Sequence, residues 1–98
     1  MAILVIFEFP GMTQADYQQS VVKVTGGRDT VKNSADWPVP GLISHTAAPT
    51  ADGWIVADVW ESEEAFQKFG EIIVPILTEI GIKDAQPKTY PVFNLVTP

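Results

Sequence analysis

Residues 2–9, AILVIFEF, are apolar without a break until Glu8, the pattern of a central strand buried on both faces. Pro10-Gly11 ends it. Thr13 reads as an N-cap with Asp16 in the first turn, and Tyr17, Val21 and Val24 recur at helical spacing, which predicts an amphipathic helix over 13–24 stopped by Gly26-Gly27. Residues 25–40 have no periodicity and are rich in turn formers, a connection long enough to suggest either a functional or a disordered segment. GLISHTAA (41–48) and GWIVADVWE (53–61) read as two strands of a hairpin around the turn 49–52. Ser62 caps a second helix with Glu63 and Glu64 at its positive end. Its stripe Ala65, Phe66, Phe69, Ile72, Ile73, Ile76, Leu77 and Ile80 runs to a stop at Gly81. Pro75 removes a backbone donor inside that helix, so a kink near Gly70–Pro75 or two abutting helices are expected. A last strand is predicted over 87–96, and Pro91 places it at a sheet edge.

Strand, helix, strand, strand, helix, strand is the order of an α+β, ferredoxin-like βαββαβ sandwich: a four-stranded antiparallel sheet with both helices on one face, in one domain spanning residues 1–98. Right-handed crossovers put the first and third strands in the middle. The first strand is apolar on both faces (Ile3, Val5, Phe7, Phe9 against Ala2, Leu4, Ile6), as is the third, with Trp54, Val56, Trp60 against Ile55, Ala57, Val59. Two helices cover one face only. A bare second face of this kind exceeds what a monomer ordinarily exposes, so a homodimer with sheets face to face is expected.

Composition narrows the chemistry. Six Lys and Arg against twelve Asp and Glu give a formal charge of −6, which argues against nucleic acid and anionic membranes as partners. The absence of Cys removes disulfides and thiolate nucleophiles, and a single His removes a His-rich metal cluster, so no metal site is expected. No apolar stretch approaches the ~20 residues of a membrane span, and the start carries no secretory pattern, so a cytoplasmic protein is expected.

The block GWIVADVWESEEAFQKF (53–69), the helix ending at Gly81 and the tail QPKTYPVFNLV (86–96) resemble the dimeric α+β barrel superfamily, which includes antibiotic-biosynthesis-type monooxygenases, muconolactone-isomerase-like enzymes and small polyketide cyclases. The resemblance implies a ferredoxin-like fold, a β-barrel formed between two subunits and one small-molecule pocket per subunit between sheet and helices.

His45, mid-strand among small and apolar neighbours, is the candidate general base. Asp58 alternates with Val56 and Trp60, where a carboxyl is tuned for acid–base work or serves as a hydrogen-bond partner to Ser44 or Thr46. The two share a face if His45 pairs with Asp58 and are separated if it pairs with Ala57. Trp54, Trp60 and Tyr90 suit the wall of an aromatic pocket, although large aromatics at strand spacing more often form a core or a dimer interface. Trp37, held between Asp36 and Pro38, suits a lid over the pocket or an anchor on a partner subunit. Asn94, on the face of Tyr90 and Val92, suits a ligand carbonyl or an edge contact, and Arg28 with Lys32 suits an anionic substrate or solvent. Ser44 must point away from its neighbour His45, so no Ser–His–Asp triad forms there. No flavin or nicotinamide fingerprint is present, and no cofactor is expected. These residues fit a dimer that binds a hydrophobic small molecule, with three readings open. One is a cofactor-independent monooxygenase on an aromatic or polyketide-like substrate, with His45 as base; another is an isomerase or cyclase using the same base. The third is a non-catalytic ligand-binding or stress-associated dimer.

Overall fold

The computed structural model describes residues 1–27, 31–82 and 86–98. Along the chain lie strand β1 (Ile3–Pro10), helix α1 (Gln14–Thr25), a short 3-10 turn (Ser34–Asp36), strands β2 (Leu42–Pro49) and β3 (Gly53–Trp60), helix α2 (Glu63–Glu79) and strand β4 (Lys88–Pro91). The sheet order is β2-β3-β1-β4 with antiparallel pairing throughout, so β1 and β3 are central as the crossover rule requires. This is the α+β ferredoxin-like arrangement expected from the sequence.

Local chemistry sets the helix ends. Thr13 and Asp16 form a reciprocal capping box, each accepting the other's backbone N–H at 3.1 Å, and Gly26 closes α1 at φ 75°. Ser62 accepts from Ala65 N at 3.1 Å at the start of α2. That helix is continuous through Pro75, so two abutting helices do not occur. Glu71 and Pro75 both lie on its exposed side, where the carbonyl that loses its donor is open to water.

The helix-covered face of the sheet carries Ile3, Val5, Phe7 and Phe9 of β1 with Trp54, Val56, Asp58 and Trp60 of β3, all buried. On the opposite face Leu4, Ile6, Ile55 and Ala57 are only half-buried. The uninterrupted apolar run of β1 therefore alternates in burial, because within one chain helices reach a single side. Part of the second face is shared with the C-terminal tail, where Pro91–Leu95 border a hollow with Leu4 and Val59. The last strand is shorter than the 87–96 predicted. Pro91 pairs with Ile3 and Val92 N donates to the Ala2 carbonyl at 3.0 Å, after which the pairing runs off the end of β1.

β3 starts at a point of close backbone approach. A Cβ at Gly53 would stand 2.1 Å from the Phe9 carbonyl oxygen, so only glycine lets β3 enter beside β1 here. The turn is closed by Thr50 N donating to the Gly53 carbonyl at 2.9 Å, with Pro49 opposite Trp54. Counting back from that pair sets His45 opposite Asp58. A bulge between Leu42 and Ser44 then resets the register, so that Leu42 returns to the buried face opposite Trp60. No helix among the described residues is long and apolar enough to cross a membrane.

Candidate active site

The register decides which residues meet. With His45 opposite Asp58, both side chains stand on the face beneath the helices, and His45 Nδ1 lies 2.6 Å from Asp58 Oδ1. Asp58 is 1% exposed, and among the described residues the imidazole is the hydrogen-bond partner of its carboxyl. The expectation of a hydrogen bond from Asp58 to Ser44 or Thr46 is corrected: those residues alternate onto the opposite face, where Ser44 pairs with Val59 and Thr46 with Ala57. From α1 above, Tyr17 places its phenolic oxygen 2.6 Å from His45 Nε2. Where Asp58 accepts as a carboxylate, Nδ1 carries the proton. With a neutral ring the Tyr17 hydroxyl donates to Nε2, and with an imidazolium Nε2–H donates to the Tyr17 oxygen.

Aromatic packing holds this chain of three groups. Tyr17 stacks on Trp54 with centroids 5.3 Å apart and lies nearly parallel to His45 (11°) at 6.1 Å. Trp37 comes down from the long connection to 4.8 Å from the His45 ring and stacks on Phe69 at 5.6 Å. Below and between the helices is a cavity of about 40 Å³. Phe7, Phe9, Val56, His45 and Asp58 line it from the sheet, Tyr17, Ser20, Val21 and Val24 from α1, and Phe69, Ile73 and Leu77 from α2, with Met12 and Trp37 completing the wall. Among the described residues its ionisable groups are Tyr17, His45 and Asp58, set with Ser20 in an otherwise apolar lining.

Burial, with the Asp58 charge added, pushes the Tyr17 phenol up to about 12. The folded protein therefore holds this proton more tightly than the unfolded chain. The stability tied to the neutral phenol is full below the ordinary value of 10.0 and is lost as the pH rises through about 12. Spectrophotometric titration of tyrosinate is expected to show a late component that disappears in Tyr17→Phe. In Asp58→Asn the same component moves down but stays above the ordinary value, because burial is the larger cause. A late component unchanged by Tyr17→Phe contradicts this.

The other sequence candidates fall in different places. Trp37 is buried at the cavity wall. Trp54 supports Tyr17 from the side, and Trp60 lies beneath Phe66 and Phe69; neither borders the cavity. Tyr90, opposite Leu4, is on the face away from the helices, and Asn94 sits in the tail beside Leu4 and Val59, so both stand across the sheet from His45. Lys32 is exposed, and Arg28 lies outside the described residues. Tyr17, taken from the sequence as one position of an apolar helix stripe, is the group that reading missed. The available signal was its hydroxyl, since a tyrosine on the inward face of a helix must find a polar partner.

No family model matches the chain, and no curated protein matches it significantly. Solved structures do. SnoaB, a cofactor-independent oxygenase from Streptomyces nogalater, superimposes with a TM-score of 0.59 at 11% identity, over 99% of this chain and 96% of that one. A mutant form of the same oxygenase gives the same values. A monooxygenase from the gene ActVA-Orf6 of Streptomyces coelicolor, in complex with nanaomycin D, superimposes with a TM-score of 0.52 at 22% identity, over 99% and 92% of the two chains. The likeness shows the fold. It is the fold implied by the sequence resemblance to antibiotic-biosynthesis-type monooxygenases.

Proposed function

We propose that this protein is a cofactor-independent monooxygenase that acts on an aromatic or polyketide-like hydroxy compound, with His45 as general base. The observation that carries the reading is the hydrogen-bonded series Tyr17–His45–Asp58 opening onto an apolar cavity. An imidazole oriented by a buried carboxylate removes a proton from an acidic phenol or enol, and a substrate seated among the aromatic walls displaces water from the reacting atoms. The electron-rich anion then reacts with dioxygen. One oxygen atom enters the ring to give a quinone and the other leaves as water, so the substrate supplies all the electrons. Solved structures similar in fold include a cofactor-independent oxygenase and a monooxygenase, which supports the same general kind.

Trp37 closes the site. A cavity of about 40 Å³ holds water-sized guests, whereas a benzene-sized guest needs on the order of 150 Å³. A ring therefore enters with Trp37 displaced, which fits its place on the long connection. The indole N–H groups of Trp37, Trp54 and Trp60 are buried and find no acceptor among the described residues; of the three side chains, Trp37 is the one that lines the cavity.

The working unit in this proposal is a homodimer closed over the sheet face that the helices leave open. Its support is the half-buried Leu4, Ile6, Ile55 and Ala57 on that face, with Tyr90 48% and Phe93 103% exposed nearby. Light scattering at micromolar concentration is expected to give twice the chain mass, and a monomer rejects this part. Activity is tested by oxygen uptake with a panel of polycyclic phenols and no added flavin, nicotinamide or metal. Uptake coupled to quinone formation is expected. A panel that binds but consumes no oxygen, with isomerised or cyclised product instead, assigns the base to the isomerase or cyclase reading.

A further inference from the structure

His45 has no free nitrogen. Asp58 occupies Nδ1 and Tyr17 occupies Nε2, each at 2.6 Å, so a ligand proton cannot reach the imidazole directly while these bonds stand. Tyr17 lines the cavity as well as touching His45. A hydroxyl oxygen that donates its proton to Nε2 keeps acceptor capacity for a donor entering the cavity. Stacking on Trp54 and on His45 keeps the phenol in place, since swinging it off Nε2 breaks two ring contacts.

From this geometry we infer that Tyr17 is the catalytic residue that meets the substrate and passes its proton to His45, an assignment that rests on the proposed base chemistry and names its substrate class as a neutral phenol or enol. The step balances without any co-reactant. The ligand O–H bond breaks and its proton goes to the Tyr17 oxygen as the phenol's own proton moves to Nε2. The products are a ligand anion, an intact tyrosine and an imidazolium paired with Asp58. Tyr17 now accepts from Nε2–H, and its new O–H, formed with the ligand's proton, donates to the new anion. The hydroxyl thus accepts before the transfer and donates after it, which favours the ionised state over the encounter state. A ligand without an acidic hydroxyl offers the resting tyrosine nothing to accept.

The test uses the intact protein and 4-nitrophenol, whose anion is coloured. At a pH about one unit below the probe's own pKa, wild-type protein is expected to bind it, shown by equilibrium dialysis, and to raise the phenolate band above that of free probe. Tyr17→Phe, which removes one hydroxyl and is checked for folding by circular dichroism, is expected to bind the probe and leave the band at the free-probe level. His45→Gln is expected to do the same. Growth of the band in Tyr17→Phe equal to wild type overturns the inference, because His45 then takes the proton unaided. Failure of wild type to bind or to ionise the probe overturns it too. A Tyr17-dependent band without oxygen uptake by any phenol keeps the relay and rejects the oxygenase. Oxygen uptake that survives Tyr17→Phe does the reverse.

Discussion

His45→Ala is expected to lower oxygen uptake with the best phenol of the panel by about 10²- to 10⁴-fold, the range a positioned acid–base group contributes. It also leaves Asp58, 1% exposed, without the imidazole that pairs it, so stability falls by about 1–3 kcal/mol. His45→Gln separates the two effects. Its amide offers a donor toward Asp58 and an acceptor toward Tyr17, so thermal stability returns toward wild type. The amide does not take a proton at neutral pH, so turnover stays low. A stability loss in His45→Ala with turnover intact in both variants would make the residue structural and return the protein to the class of non-catalytic ligand-binding dimers.

The largest expected loss of stability comes from Trp60→Ala. Trp60 is 0% exposed, its ring 5.1 Å from Phe69 and 6.2 Å from Phe66, at the joint between β3 and α2. Emptying that volume costs about 3–5 kcal/mol, a large share of the roughly 5–15 kcal/mol that holds a domain of this size together. Each kcal/mol lowers the melting temperature by roughly 4–8 °C here, so the transition moves by more than ten degrees in a thermal melt. Because Trp60 does not border the cavity, Trp60→Phe, which keeps an aromatic plug, is expected to bind and turn over phenols as wild type does. A turnover defect in Trp60→Phe with a normal melt would instead support the reading of Trp60 as a ligand contact.

Trp37 and Tyr17 show how a site is distributed between near and distant sequence. The isolation of Trp37 in an aperiodic connection is visible in one dimension, and it suits a lid over the pocket or an anchor on a partner subunit. Its seat against His45 and Phe69 is set by packing across eight and thirty-two positions of chain. The hydroxyl of Tyr17 reaches His45 twenty-eight positions away, and nothing in the helical stripe of Tyr17, Val21 and Val24 marks that meeting. Tyr90 and Asn94 illustrate the converse. Their residue types suit a pocket, but β4 is an edge strand whose pairing with Leu4 and Val5 turns Tyr90 to the far side of the sheet.

What this chain determines by itself is a list of elements and their inward faces. Periods of two and 3.6 are local properties, so β1, α1, β2, β3 and α2 are legible along with their caps, and the order of elements with the handedness of crossovers leads to the order β2-β3-β1-β4. What only the tertiary structure decided is parity and proximity. Whether His45 faces Asp58 or Ala57 turns on a single residue in the count around the 50–53 turn, and either choice leaves two small, half-apolar strands equally well patterned. The energy that selects one is spread over the whole sheet and both helices. The same selection brings a phenol from α1, an imidazole from β2 and a carboxyl from β3 onto one wall.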